Sequence, residues 1–432
     1  MNSNRRSFLA GGAAVSALAT LGLPRIAASA SPARKLVLVH ADGGWDVTVG
    51  LDPKLGVSTI DGPDLDEDPN NPEDRESVET ISGIPLATNR FKRPQLAAFF
   101  ERWGARAAVV NGLWVGAISH PACIQRVFTG QSAGSNGDMA ALAAARVGLD
   151  APVPYMDLSG AGITGAYAAY AGRTGSANQL EILLDRDTNV PGPLGSGLVY
   201  PGFTPEPSDA SDLEGFLQAR GRRMAMREGA NLRTTRQVDD LLESRMRADL
   251  LRSEGGGFAD SLQLGRQSTL VNMAPTVRDL LTSGLCQTVS IDAGGNFDTH
   301  QDNSDQHAQW ETAFTGIGAL MQELEAGGLL SETVVVVVSE MTRTPRRNAQ
   351  GGKDHWSTTS AMVLGAGVSG GRVVGGSTDT LDSRPVDLQT GEVTASGVTP
   401  RYDNFVAGVL ELVGVDPAEF LPSSEVYRGF HA

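Results

Sequence analysis

The chain has 432 residues, 41 % of them hydrophobic and 6 % aromatic, with 52 glycines, enough for a sizeable core and suited to tight turns between strands. Its 35 Lys and Arg against 50 Asp and Glu give a formal net charge of −15, which argues against a nucleic-acid binder or a polybasic membrane-surface protein, since both need a basic footprint to offset phosphate. No collagenous, low-complexity or repeated segment is present.

The first thirty residues read as an export leader. Asn4-Arg5-Arg6-Ser7-Phe8-Leu9 gives a charged start with paired arginines, Ala10 to Leu23 a short run rich in Gly and Ala, and Ala28-Ser29-Ala30 a small-residue cleavage site, the pattern of twin-arginine translocation. The run is too short to span about 30 Å of hydrocarbon comfortably. Cleavage after Ala30 removes three arginines and no acid, leaving 32 basic residues against 50 acidic ones, or −18. The mature chain is expected in the periplasm or outside the cell, with no stable membrane span and with residues 31–432 as one α/β domain. In that oxidising setting Cys123 and Cys286 form either a bridge or two buried thiols.

Lys35 to His40 is a short apolar run ending in Ala41-Asp42-Gly43-Gly44-Trp45-Asp46, which reads as a buried strand feeding a glycine-containing loop. Further strands are expected at Arg106–Asn111, Gln287–Asp292 and Thr333–Ser339. Helical patterns alternate with them at Gln95–Trp103, Pro121–Phe128, Met139–Val147, His307–Ala326 and Asp403–Val413. That alternation predicts a mainly parallel sheet with helices on both faces. Residues 61–79, with nine acids and three prolines, are expected as a solvated acidic loop. Residues 207–253 are expected as a helical insertion over the sheet, with Val238, Leu241, Leu242, Met246 and Leu250 on its apolar stripe.

Six histidines make placement readable. His40 ends the first strand, His120 follows Ser119, His307 opens a helix and His431 is near the end; the last two are expected as ordinary hydrogen-bonded residues. His300 lies in Gly294-Gly295-Asn296-Phe297-Asp298-Thr299-His300, after a strand and a sharp turn. His355 lies in Gly351-Gly352-Lys353-Asp354-His355, after Ser339-Glu340-Met341-Thr342-Arg343-Thr344. Carboxylate and imidazole recurring at successive strand ends are the ligand set of zinc, manganese or iron. Arg343, Arg346 and Arg347 are candidates to clamp an oxyanion. Ser119 stands just before a helix that has Pro121 in its first turn, so it is either an ordinary N-cap or a hydroxyl placed at the positive end of a helix dipole.

These segments resemble the exported bacterial proteins grouped as domain of unknown function 1501, whose pattern is Gly-Gly-aromatic-Asp-Thr-His, then Ser-Glu-x-x-Arg-Thr, then Gly-Gly-x-Asp-His. The Gly43-Gly44-Trp45-Asp46 loop and Ser119-His120 are similar to that family as well. The family in turn resembles the alkaline phosphatase and sulfatase superfamily. The likeness implies an alkaline-phosphatase-like α/β fold and a divalent metal, zinc, manganese or calcium. It implies Asp42, Asp298, His300, Glu340 and His355 as ligands, although Asp46 is the acid of the nearer family's pattern. It also implies Ser119 as nucleophile, with Arg343 holding an ester oxygen. Two departures stand out: Asp-x-His replaces Asp-x-x-x-His, and Met341 stands where the superfamily has a histidine after its acid. The expected activity is hydrolysis of a small anionic phosphate or sulfate ester. The alternatives are a non-catalytic exported protein with an envelope partner and, on the acidic loop alone, a calcium-stabilised structural protein.

Overall fold

Strands that are apolar on both sides need cover on both faces, and here they build one eight-stranded sheet. The computed structural model describes residues 33–173, 190–191, 199–200, 207–227, 232–254 and 269–432; the expected leader lies outside the described residues. In chain order the elements are β1 (Lys35–His40), the hairpin β2 (Ser77–Ile81) and β3 (Ile84–Thr88), α1 (Pro94–Trp103), β4 (Ala107–Trp114), α2 (His120–Thr129), α3 (Met139–Val147), β5 (Tyr155–Asp157), β6 (Ala171–Arg173), β7 (Val190–Pro191), β8 (Val199–Tyr200), α4 (Pro207–Ala225) and α5 (Leu232–Glu254). There follow α6 (Leu270–Thr282), β9 (Thr288–Asp292), α7 (Asp305–Ala326), β10 (Thr333–Val338), β11 (Thr342–Arg343), β12 (His355–Trp356), β13 (Thr358–Gly365), β14 (Arg372–Gly375) and α8 (Tyr402–Leu412).

The sheet order is β14-β4-β13-β10-β1-β9-β5-β6. Only β13 runs against its neighbours, pairing antiparallel with β10 and β4; the other pairings are parallel. The sheet is thus mainly parallel, with helices on both faces. Leu36 and Leu38 of β1 pack with Phe128, Ala143 and Phe405 from α2, α3 and α8. Val37 and Val39 pack with Phe100, Leu280 and Phe314 from α1, α6 and α7. Each such side chain taken fully out of water contributes about 1.5–3 kcal/mol before entropy is counted. The parallel register puts His40 opposite Val338 and Asp292, so β1, β9 and β10 end at one edge. β4 outruns its expected end at Asn111 because Leu113 and Trp114 pair with Thr359 and Thr358.

Three expectations are corrected. The acidic stretch is tied down rather than solvated: Asp61 takes Arg346, Asp66 takes Arg347 and His307, and Asp74 takes Lys92 and Asn89. Its last residues, from Ser77, belong to β2. Arg346 and Arg347 are therefore committed to these acids and are not an oxyanion clamp. In the insertion Val238 is buried, but Leu241, Met246 and Leu250 are exposed. Instead of lying over the sheet on that stripe, α5 is anchored by Arg247, which donates to the carbonyls of Ala151 and Leu149. Cys123 and Cys286 are buried and free. Among the described residues no helix is long and apolar enough to cross a membrane.

Asp138 caps α3 by accepting from Ala141 N–H (2.7 Å), and it also accepts from Ile163 N–H (2.7 Å) and Tyr155 O–H (2.9 Å). Burial pushes its carboxyl up to about 6 despite these donors. A raised folded value favours the protonated form, so the stability this group confers is full below the ordinary aspartate range and is lost as pH rises through about 6. In urea unfolding, the stability advantage of the parent over Asp138→Asn should shrink by on the order of 3 kcal/mol between pH 4 and 7. A constant difference across that range would show that Asp138 titrates normally.

Candidate metal centre

The site assembles where β1, β9 and β10 end. After His40 the chain turns through Asp42, Gly43 and Gly44, the glycines at φ 102° and 81°. A Cβ on Gly43 would stand 2.6 Å from the Asp298 backbone nitrogen, and one on Gly44 would stand 2.9 Å from the Met341 side chain. Only glycine lets this turn lie against both loops. The segment after β9 carries Asp298 and His300, β10 runs into Ser339 and Glu340, and the two-residue ladder of β11 and β12 pairs Arg343 with His355. The last contributor is α2, with Ser119 as its N-cap residue and His120 as its first residue.

Three imidazoles converge on one carboxylate oxygen. The Nε2 atoms of His300, His120 and His355 lie 3.1, 3.5 and 3.6 Å from Asp298 Oδ1. Each ring is held from behind through Nδ1: His120 on Glu340 Oε1 (2.7 Å), His300 on Asp354 Oδ1 (2.8 Å) and His355 on the Ile118 carbonyl (2.6 Å). Those partners accept, so in the neutral rings Nδ1 carries the hydrogen and each Nε2 presents a lone pair. Nε2 of His300 and Nε2 of His355 are only 2.9 Å apart, and His120 Nε2 is buried without a hydrogen-bond partner. Lone pairs crowded in this way need a positive charge among them. A donor set of imidazoles, each fixed from behind by a carboxylate or carbonyl and facing a carboxylate, fits a divalent cation. Despite partial burial, the Arg343 hydrogen bond and charge, with His120 and His300 behind them, hold the Asp298 carboxyl below its ordinary value.

A second group lies beside it: ligand atoms of His40, Asp42 and Glu340 fall within 4.8 Å of one another. Glu340 joins the two groups. Its Oε1 accepts from His120 and from Gly43 N–H (3.0 Å), and its Oε2 meets His40 Nε2 (3.2 Å) and the Ser339 hydroxyl (3.2 Å). Burial opposes ionisation, but the His120 and His40 hydrogen bonds keep the Glu340 carboxyl well below the carboxylate range. The His120 imidazole is raised, first by its bond to Glu340.

Of the residues expected from sequence, Asp298, His300 and His355 come together, and Asp42 and Glu340 stand in the neighbouring group. With four contacts on its two oxygens, Glu340 sits behind the imidazoles as their anchor. Asp46 is elsewhere, fully buried on Lys353 Nζ at 2.7 Å. Arg343 differs from the expected oxygen clamp. Its buried guanidinium donates to the carbonyls of Gly44, Gly43 and Lys353 and to Asp298 Oδ1, which makes it a bracket between the glycine turn and the Asp298 carboxylate. Ser119 is exposed, and its side chain makes no capping hydrogen bond. Sequence reasoning missed His120 and His40 as candidate ligands; the available signal was a histidine directly after the candidate nucleophile and another at the end of the most apolar early strand.

A family model described as Protein of unknown function (DUF1501) matches residues 33–424. No curated protein matches the chain. Among solved structures it is similar to an alkaline phosphatase superfamily protein from Vibrio parahaemolyticus (10 % identity, 89 % of this chain and 68 % of that one, TM-score 0.37). It is also similar to the lipoteichoic acid synthase LtaP from Listeria monocytogenes (9 %, 93 % and 75 %, 0.38) and to the phosphonate monoester hydrolase of Agrobacterium radiobacter (12 %, 92 % and 78 %, 0.36).

Proposed function

We propose, for a chain that belongs to the DUF1501 family of proteins of unknown function, the role of an exported, metal-dependent hydrolase of phosphate or sulfate esters. The observation that carries this reading is the set of three Nε2 lone pairs around Asp298, each ring locked from behind. Asp298, His120, His300 and His355 would hold zinc or manganese, because a set dominated by imidazole nitrogen disfavours calcium, with His40 and Asp42 able to offer a second, weaker set. A divalent cation there supplies Lewis acidity, polarising the ester and easing ionisation of a nearby hydroxyl.

The chain's own groups do the remainder. Ser119 presents an uncommitted hydroxyl at the start of a ten-residue helix, one residue from His120, where free N–H groups and the helix dipole favour an anionic ester. Its oxygen would bond to phosphorus or sulfur as the ester bond breaks and the alcohol leaves with its oxygen; water then releases the anion and restores the serine. Glu340 holds the His120 tautomer, and Arg343 fixes Asp298 against the glycine turn.

Glycine is well tolerated at an N-cap, costing only a few tenths of a kcal/mol, so Ser119→Gly separates chemistry from folding. With aryl phosphate and aryl sulfate, assayed with zinc, manganese and calcium, its rate should fall about a thousandfold or more while the melting temperature holds. A variant that keeps the parent rate would exclude Ser119 as nucleophile. One observation favours a non-catalytic exported binding or envelope-assembly protein: the Arg343 donors are spent on protein atoms. A parent that binds metal stoichiometrically yet leaves both esters intact would select that reading.

A further inference from the structure

The helical insertion keeps an apolar strip in water. α4 packs on α5 at Gly221, which is buried; a Cβ there would stand 3.0 Å from the Val238 side chain and 3.7 Å from that of Leu242. Leu217 lies one turn earlier on the same side and is half-buried. Successive helix residues turn by about 100°, so Asp212, Leu213, Phe216, Arg220, Arg223 and Met224 share an adjoining arc of about 120°. All six are exposed, Leu213 by 47 %, Phe216 by 53 % and Met224 by 43 %. Among the described residues no ion pair engages Asp212, Arg220 or Arg223.

The order of charges identifies what covers it. Acids first and arginines last suit the dipole of α4 itself, but that does not account for a leucine, a phenylalanine and a methionine kept in water between them. An anionic membrane or an acidic partner would meet Asp209 and Asp212 at one end, and a basic partner would meet Arg220 and Arg223 at the other. A second α4, antiparallel across a twofold axis level with residue 218, gives every group its complement. Asp212 faces Arg223, Leu213 faces Met224, and Phe216 faces Arg220 as a cation–π pair. Each pair is centred within half a residue of that level, so one axis serves all three. Asp212 and Arg223 lie toward one edge of the arc and Leu213 and Met224 toward the other, and a twofold perpendicular to the paired helices keeps each edge against itself.

We propose that this face of α4 is a self-association surface on which a second copy of the chain docks, antiparallel, to form a twofold dimer. The pairing is independent of the hydrolase reading. A helix of 19 residues is about 28 Å long, so one helix pair falls at the small end of specific interfaces, and the dissociation constant should be on the order of 10 μM.

Sedimentation equilibrium of the purified chain, at concentrations above and below that constant, reads the association directly. The parent should pass from monomer to dimer, and added salt should weaken the dimer because its charge pairs lie at the rim. Asp212→Arg alone and Arg223→Asp alone each set like charges against one another and should raise the dissociation constant about tenfold or more. An equimolar mixture of these two variants should associate as the parent does, since one chain then carries arginine and the other aspartate at both positions, a recovery that misfolded chains could not produce. Phe216→Ala, which removes the central ring, should weaken the dimer about tenfold. A parent that stays monomeric, whether or not it floats with phosphatidylglycerol vesicles, would overturn the pairing. So would single charge reversals that associate as the parent does, or a mixture that associates no better than its parts.

Discussion

His355→Ala is expected to leave the purified chain without stoichiometric divalent metal under conditions where the parent retains it, and Asp298→Asn should do the same. His355→Ala loses a donor, and Asp298→Asn the negative charge, from a set in which Nε2 of His300, His120 and His355 all lie within 3.6 Å of Asp298 Oδ1, and a shell short of a ligand or of its charge holds metal poorly. Glu340→Gln makes the sharper comparison. It keeps the ligands but replaces an ionised acceptor serving both His120 and His40, so metal affinity should fall by about 10–100-fold rather than vanish. Elemental analysis after dialysis, followed by competition with a chromophoric chelator, measures both effects. Full occupancy in His355→Ala and Asp298→Asn would take these residues out of any metal site.

Lys353→Met is expected to give a large loss of stability. Lys353 and Asp46 are both wholly buried, with Nζ 2.7 Å from Oδ2, and Asp46 also accepts from Thr48 and Asn303. Burial works against ionisation of Asp46, while the Lys353 charge and hydrogen bond hold it below the aspartate range. Removing the ammonium alone strands a carboxylate in the interior, at a cost of about 3–5 kcal/mol. Asp46→Asn with Lys353→Met removes both charges and should recover much of that loss, since an apolar or neutral replacement of a buried pair is often tolerated. Urea unfolding of the two singles and the double measures the coupling. A loss under about 1 kcal/mol in Lys353→Met would mean that the pair is hydrated and replaceable.

β1 and β10 were readable because each is an unbroken apolar run closed by polar residues, and such runs are buried on both sides of a sheet. β13 was not expected: Thr358, Thr359 and Ser360 open it, and they are buried only because the sheet closes over them. Pro275 hides α6, and the acids of residues 61–79 hide the start of the β2 and β3 hairpin. Asp298, His300 and His355 stood out because acid and imidazole lie close together in sequence. His120 and His40 have adequate local explanations, as a helix start and a strand end, and what brings them to the candidate centre is Glu340, 220 and 300 residues away. Arg343 was legible as a functional arginine but not as a bracket, because its carbonyl partners at Gly43 and Gly44 belong to the other end of the chain.

The parallel pairing of β1 with β10, Lys35 against Thr333, also bears on the order of assembly. Nearly three hundred residues must be synthesised before the first strand meets this neighbour, and the last imidazole arrives with residue 355. Contacts of such sequence separation form slowly, because loop closure is unfavourable before any contact rewards it. A nascent or truncated chain ending before β10 therefore lacks Glu340 and His355 of the candidate centre, and any metal capture there would be a late event that reports completed folding.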